Sequence, residues 1–119
     1  MHRYLIYAAY GWLVLGGTMH FFIDVVSQYL RRKRAPGPEA TLFYGLNTAY
    51  ALGQVLFGLF GLLVAWQAFD LLGRWPAVSL TLTAAACWLI FDFIFIEYWE
   101  PKFIVAIFAA LAIAAALAA

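Results

Sequence analysis

Charge is what this chain has least of. Only 11% of its 119 residues are Asp, Glu, Lys or Arg, against about a quarter in an ordinary soluble domain. A water-facing surface of normal make-up is therefore excluded. A nucleic-acid-binding face is excluded too, because the basic residues number seven and four of them form one short run, Arg31 to Arg34. Cysteine is nearly absent, and the single Cys87 rules out an intramolecular disulfide. Lying mid-run, it is expected to be a small core hydrophobe. No phosphate-cradling glycine loop and no nucleophile–base pair is present, and the cofactor stays open. Strand-like alternation is missing as well, which excludes a membrane β-barrel.

What fills the space is apolar. Hydrophobic residues make up 67% of the chain, and its mean hydropathy is +0.91. Several runs approach the length of about 20 residues that crosses a bilayer as helix. The expectation is an all-α, four-helix integral membrane bundle forming a single domain over 1–119, with helices at about 4–30, 41–68, 77–98 and 102–119. Tyr4 to Leu30 is too long for a signal-peptide core and has no cleavage site leading into a polar start. Pro36-Gly37-Pro38 interrupts the chain in its one clearly polar loop, and Pro101 is well placed to open the last helix. Both termini then lie on the same side. Five basic residues (Arg31 to Arg34 and Lys102) oppose two (Arg3 and Arg74). The positive-inside rule thus expects loops 31–40 and 97–102 in the cytoplasm, the termini outside, and a multi-pass place in the cell (inner) membrane. Membrane lipids are the expected surroundings, and the basic run is suited to anionic headgroups.

Lipid gives helices no hydrophobic reason to associate, so small residues mark packing faces. Gly45, Ala49 and Gly53 form one such stripe on helix two, and Gly58 with Gly61 another. Ala106, Ala110, Ala114 and Ala118 form a stripe on helix four that suits either a homodimer seam or lipid. On helix one, Ala8, Trp12, Gly16, His20 and Asp24 recur every four residues and share a face.

Ionisable groups are costly in hydrocarbon and mark a partner, a cavity or a ligand. Asp24, Asn47 and Asp92 each lie six residues inside the expected helix ends Leu30, Thr41 and Tyr98, roughly 9 Å deep at helical rise. His20 and Trp88 share the next level, and Gln54 lies deeper. The candidate ligand-binding set is His20, Asp24, Asn47, Gln54, Trp88 and Asp92. Asp24 and Asp92 would contact a small cationic or amphipathic ligand or exchange protons, His20 would adjust protonation, and Trp88 would offer a cation–π face. Two other readings stand beside it. In one, the polar residues only hold together a structural or accessory subunit. In the other, His20, Asp24 and Asp92 ligate a metal in a membrane-embedded enzyme. Glu97 and Glu100 are expected to pair with Arg31 to Arg34 or with Lys102.

Three motifs, Gly16-Gly17-Thr18-Met19-His20-Phe21, Gly45-Leu46-Asn47 and Pro101-Lys102-Phe103, occur in an order that resembles small bacterial four-helix membrane proteins of the DoxX-like type. That resemblance implies a four-helix bundle and no shared chemistry. A looser similarity links the chain to sterol-isomerase and sigma-2 receptor bundles, in which acids inside the helices meet an amine or carbocation. The His-to-acid spacing differs there, so no catalytic residue carries over.

Overall fold

Proline stands at the start of three of the four long helices. In the computed structural model, which describes residues 1–119, these are α1 (His2–Leu30), α2 (Pro38–Gln67), α3 (Trp75–Phe95) and α4 (Glu100–Ala118). Pro38 is the first residue of α2, while Pro76 and Pro101 are the second residues of α3 and α4. There the missing N–H costs nothing and the fixed φ suits a helix. Gly37, at φ 154° and ψ −178°, holds a backbone conformation essentially restricted to glycine and turns the chain into Pro38. Arg32 breaks α1 at φ 51°, a left-handed position that glycine usually fills.

The four helices are all long and apolar enough to cross a membrane. The molecule measures 49 × 25 × 20 Å, and its long dimension matches a bilayer of about 40–45 Å including headgroups. Large side chains such as Leu56, Phe60, Ile90, Phe93 and Leu117 point outward, which lipid tolerates and water does not.

Two helix ends differ from expectation by three residues, and the others by two or fewer. The Pro-Gly-Pro stretch initiates α2 as well as ending the loop, so α2 begins at Pro38 instead of Thr41. Helix α3 stops at Phe95 instead of Tyr98, because Ile96 turns extended (φ −116°, ψ 121°) and buries its side chain. Residues 96–99 form a short link to α4.

Helix α1 is the hub, packing along α2 on one side and α4 on the other, and α4 in turn packs on α3. Between α2 and α3 the backbones stay apart and aromatic rings bridge the gap: Tyr50 stacks on Phe91 and Phe57 meets Trp88 edge-on. Ile6, Tyr10, Leu13, Ala65, Ala85 and Phe108 make the core toward one end. At that end the His2 ring Nδ1 lies 2.8 Å from the Ala115 carbonyl, which places both chain termini together. The Tyr10 and Thr81 hydroxyls are joined at 2.7 Å across the bundle.

Only one of the two glycine stripes on α2 is a packing face. A methyl group on Gly58 would strike Val14 and the Tyr10 carbonyl, and one on Gly61 would strike the Tyr10 ring. Gly45 and Gly53 have open space around them, and Ala49 is exposed with them. Most of the α4 alanine stripe also faces outward, while Val105, Phe108, Ala112 and Ala115 face in. Ala8 is exposed, whereas Gly16, His20 and Asp24 are buried as their spacing suggests. Cys87 is exposed on the apolar exterior and is not a core residue. The inward face of α3 runs through Thr81, Ala85 and Asp92, and Cys87 falls off it.

Candidate functional site

Near its C-terminal end α1 changes pitch. Residues Phe21–Ser27 form a π-helix, a wide turn with i→i+5 bonding that recurs at functional sites. Asp24 sits inside it. The His20 imidazole Nδ1 lies 2.9 Å from Asp24 Oδ2, and its Nε2 lies 2.9 Å from Asn47 Oδ1 on α2.

The proton on this triad can be placed from its hydrogen bonds. Asn47 Nδ2 donates to the Phe43 carbonyl at 2.9 Å, which fixes the amide with its oxygen toward His20. That oxygen only accepts, so His20 Nε2–H must donate. The opposite nitrogen meets a carboxylate oxygen, so one more proton lies between His20 and Asp24. The pair is either imidazolium–carboxylate or imidazole–carboxylic acid. Its net charge is zero in both forms.

A cavity of about 580 Å³ opens beside the triad, between α1 and the start of α4. Drug-sized ligands occupy clefts of about 300–1,000 Å³ with apolar walls and a few polar groups. Trp12, Ile23, Trp99 and Phe103 supply wall here, and Asp24, His20 and Glu100 supply the ionisable groups. Trp12 is held in place by its Nε1–H, which donates to the Ile104 carbonyl at 2.9 Å. Gly16 lies under the Ile104 side chain, and a larger residue would force that side chain to move.

Tyr98, in the link before α4, puts its hydroxyl beside Asp24 without a direct hydrogen bond. Burial pushes this phenol well above its ordinary range, and the neighbouring Asp24 carboxylate adds to the shift.

A second polar cluster lies behind the first. The Tyr50 ring packs 4.9 Å from the His20 ring and stacks 5.2 Å from Phe91. Its hydroxyl neighbours Gln54 and Asp92. Asp92 is 0% exposed and Gln54 1%. Both Asp92 carboxyl oxygens, Gln54 Nε2 and the Tyr50 hydroxyl are buried without a hydrogen-bond partner.

The six candidate residues are thus divided. His20, Asp24 and Asn47 are bonded together. Gln54 and Asp92 form the rear cluster, separated from the triad by Tyr50. Trp88 packs against Phe57 and Phe108, at 5.6 and 6.2 Å between ring centroids, and does not line the cavity. No group of three or more His, Cys, Asp and Glu side chains converges on a metal-holding position. His20, Asp24 and Asp92 are therefore not one ligand set. Glu97 and Glu100 make no ion pair within 4.0 Å, since His20–Asp24 is the sole one present. Lys102 Nζ reaches instead to the Glu97 carbonyl at 3.5 Å, and Arg34 lies over the Phe43 ring. Because α3 ends early, Glu97 leaves the helix and faces outward.

Tyr50 and Tyr98 are missing from the sequence-based set. Tyr50 was findable: it lies three residues after Asn47 and four before Gln54, on the same helix face. Tyr98 depends on the unwound link and carries no such signal.

Comparison of the chain with protein-family models, curated proteins and solved structures gives no match.

Proposed function

We propose that this is an integral membrane protein that binds a small lipophilic cation in the cavity between α1 and α4. The observation that carries this reading is a carboxyl group, Asp24, set by a π-turn into the wall of a mostly apolar cavity of about 580 Å³. A lipophilic cation would gain the carboxylate, the faces of Trp12 and Trp99, and an apolar enclosure together. On entry it would compete with the proton held by the Asp24–His20 pair, so His20 adjusts the charge of the site. Five basic residues in and after loops 31–40 and 97–102 support a cytoplasmic position for the cavity end, termini outside, in the cell (inner) membrane. Lipid surrounds the bundle, and the outward alanine stripe of α4 offers a second copy of the chain a close approach.

Tetraphenylphosphonium and tetraphenylborate, equal in shape and opposite in charge, test this directly. Calorimetry on the protein in nanodiscs should show the cation binding and the anion not. Asp24→Asn should weaken the cation by about tenfold or more. Equal binding of both probes, or an Asp24→Asn variant that binds the cation unchanged, would leave the cavity without a charge-selective role. One observation favours a purely structural role: His20, Asp24 and Asn47 already satisfy one another. In that case neither probe binds and the variants lose only stability.

A further inference from the structure

Asp92 is the one buried carboxyl group in the bundle with neither a hydrogen-bond nor an ion-pair partner. It is fully buried and both carboxyl oxygens lack a partner. The groups facing it are few. His20 approaches from α1, Tyr50 from α2 and Lys102 from α4, and Gln54 meets the same Tyr50 hydroxyl. None neutralises it. His20 is bonded at both nitrogens, to Asp24 and to Asn47, and its charge is matched by Asp24. Lys102 is turned to the Glu97 carbonyl and lies over the Phe93 ring, 5.1 Å from its centroid. Tyr50 and Gln54 are uncharged.

A bare carboxylate in such a place costs several kcal/mol or more, and proteins relieve that cost by neutralising the group. Internal water would satisfy hydrogen bonds and leave the charge. A metal cation would remove the charge, but hard divalent ions collect about six or more oxygens. The side chains here supply four: two from Asp92, one from Tyr50 and one from Gln54. A proton needs no volume and no ligand shell, and the resulting carboxylic acid both donates and accepts among the Tyr50 hydroxyl and the Gln54 amide.

We propose that Asp92 is a proton-binding site of the folded protein, enclosed by Tyr50 and Gln54 and separate from the cavity at Asp24. The two sites meet through the Tyr50 ring, which touches His20 on one side and carries the hydroxyl beside Asp92 on the other. A change of charge on the Asp24–His20 pair therefore acts on the proton at Asp92 across a single side chain. The intramembrane charge balance closes, with one proton on the His20–Asp24 pair beyond Nε2–H and one on Asp92. The existence of this site does not rest on the cavity binding a cation.

Infrared spectroscopy of the full chain, labelled with carboxyl-13C aspartate in nanodiscs at neutral pH, reads the proton directly. A label-shifted C=O stretch of a protonated carboxyl is expected in the native sequence, with a component that is retained in Asp24→Asn and Asp70→Asn and lost in Asp92→Asn; any component that Asp24 adds is lost only in Asp24→Asn. Absence of any label-shifted carboxylic-acid band in the native sequence overturns the proposal without recourse to a variant that must fold. So does a band indifferent to Asp92→Asn. Near-stoichiometric sodium or potassium that survives desalting and disappears in Asp92→Asn would assign the same carboxylate to a metal cation and overturn it too.

Discussion

The end of the bundle that holds the termini and the end that holds Asp24 are built on opposite terms. At the first, Leu13, Ala65, Phe108 and Ala115 are at most 1% exposed. Tyr10 lies against Gly61, and its hydroxyl is answered by Thr81. The buried polar side chains there, Tyr10 and Thr81, pair with each other. At the second, α1 loosens into a π-turn, α3 unwinds early, a cavity opens, and several buried polar atoms have no partner. Local rules of packing and polar satisfaction hold at one end and are broken at the other, which is where function is expected to sit. Stability comes from the dry end, and the polar end draws on it.

The largest expected effect tests the dry end. In Gly58→Ala the new methyl would lie 2.6 Å from Val14 Cγ2 and 2.9 Å from the Tyr10 carbonyl, so α1 and α2 must separate. A loss of about 1–3 kcal/mol is expected from such overpacking, read as a lower unfolding midpoint in mixed detergent. Gly53→Ala, with nothing within 4 Å of the new methyl, should be neutral or gain up to about 1 kcal/mol through helix propensity. Equal losses at both positions would mean that α2 presents a different face to α1.

Effects at the polar end should be smaller. Interhelical hydrogen bonds in membranes contribute about 0.6–2 kcal/mol, so Asn47→Leu and His20→Leu should each cost that much. Their double variant should cost less than the sum, because one bond is lost only once. Phe22→Leu, on an exposed position, is the reference and should be near silent. Asp92→Asn should cost less than Asn47→Leu, since the amide replaces a neutral acid of the same shape. A severe loss at Asp92 would show instead that a charged carboxylate is bonded there, and would erase the contrast between the paired triad and the unpaired rear cluster.

The four helices were legible because bilayer thickness acts on composition over some twenty residues at a time, and a few misplaced residues do not alter the sum. Most of their ends were legible to within two residues; the start of α2 at Pro38 and the end of α3 at Phe95 were not. The site was half legible. His20 and Asp24 stand out as ionisable groups in an apolar run, and Asn47 joins them as expected. The depth matching that linked them used ends that moved: Asn47 lies nine residues into α2 from Pro38, and Asp92 only three from Phe95. Asn47 still reaches the triad because the bundle sets the heights of the helices, and their termini do not. The division into two clusters was not legible. It depends on one aromatic ring, Tyr50, whose orientation is decided by packing between α2 and α3. The choice between the two glycine stripes of α2 was likewise hidden, since both have small residues at helical spacing and only the bulk of Tyr10 and Val14 opposite picks one.

The smallest expected effect concerns Tyr98, which lies between the two ends of the comparison in kind: half-buried, outside the helices, and beside Asp24. Burial first, and the Asp24 carboxylate second, hold its phenol above the ordinary value of 10.0. The folded protein therefore keeps this proton at pH values where the unfolded chain releases it. The stabilisation is complete below pH 10.0 and is lost as pH rises through the higher folded value. An alkaline titration followed by phenolate absorbance should show Tyr98→Phe removing signal only from the late part of the curve, and the variant should lose less stability than the native sequence in strong alkali. Asp24→Asn should move the same late component toward the ordinary range, because it removes the second cause and leaves the first. If Tyr98→Phe instead removes phenolate that forms near pH 10.0, Tyr98 is solvated, and neither burial nor Asp24 holds its proton.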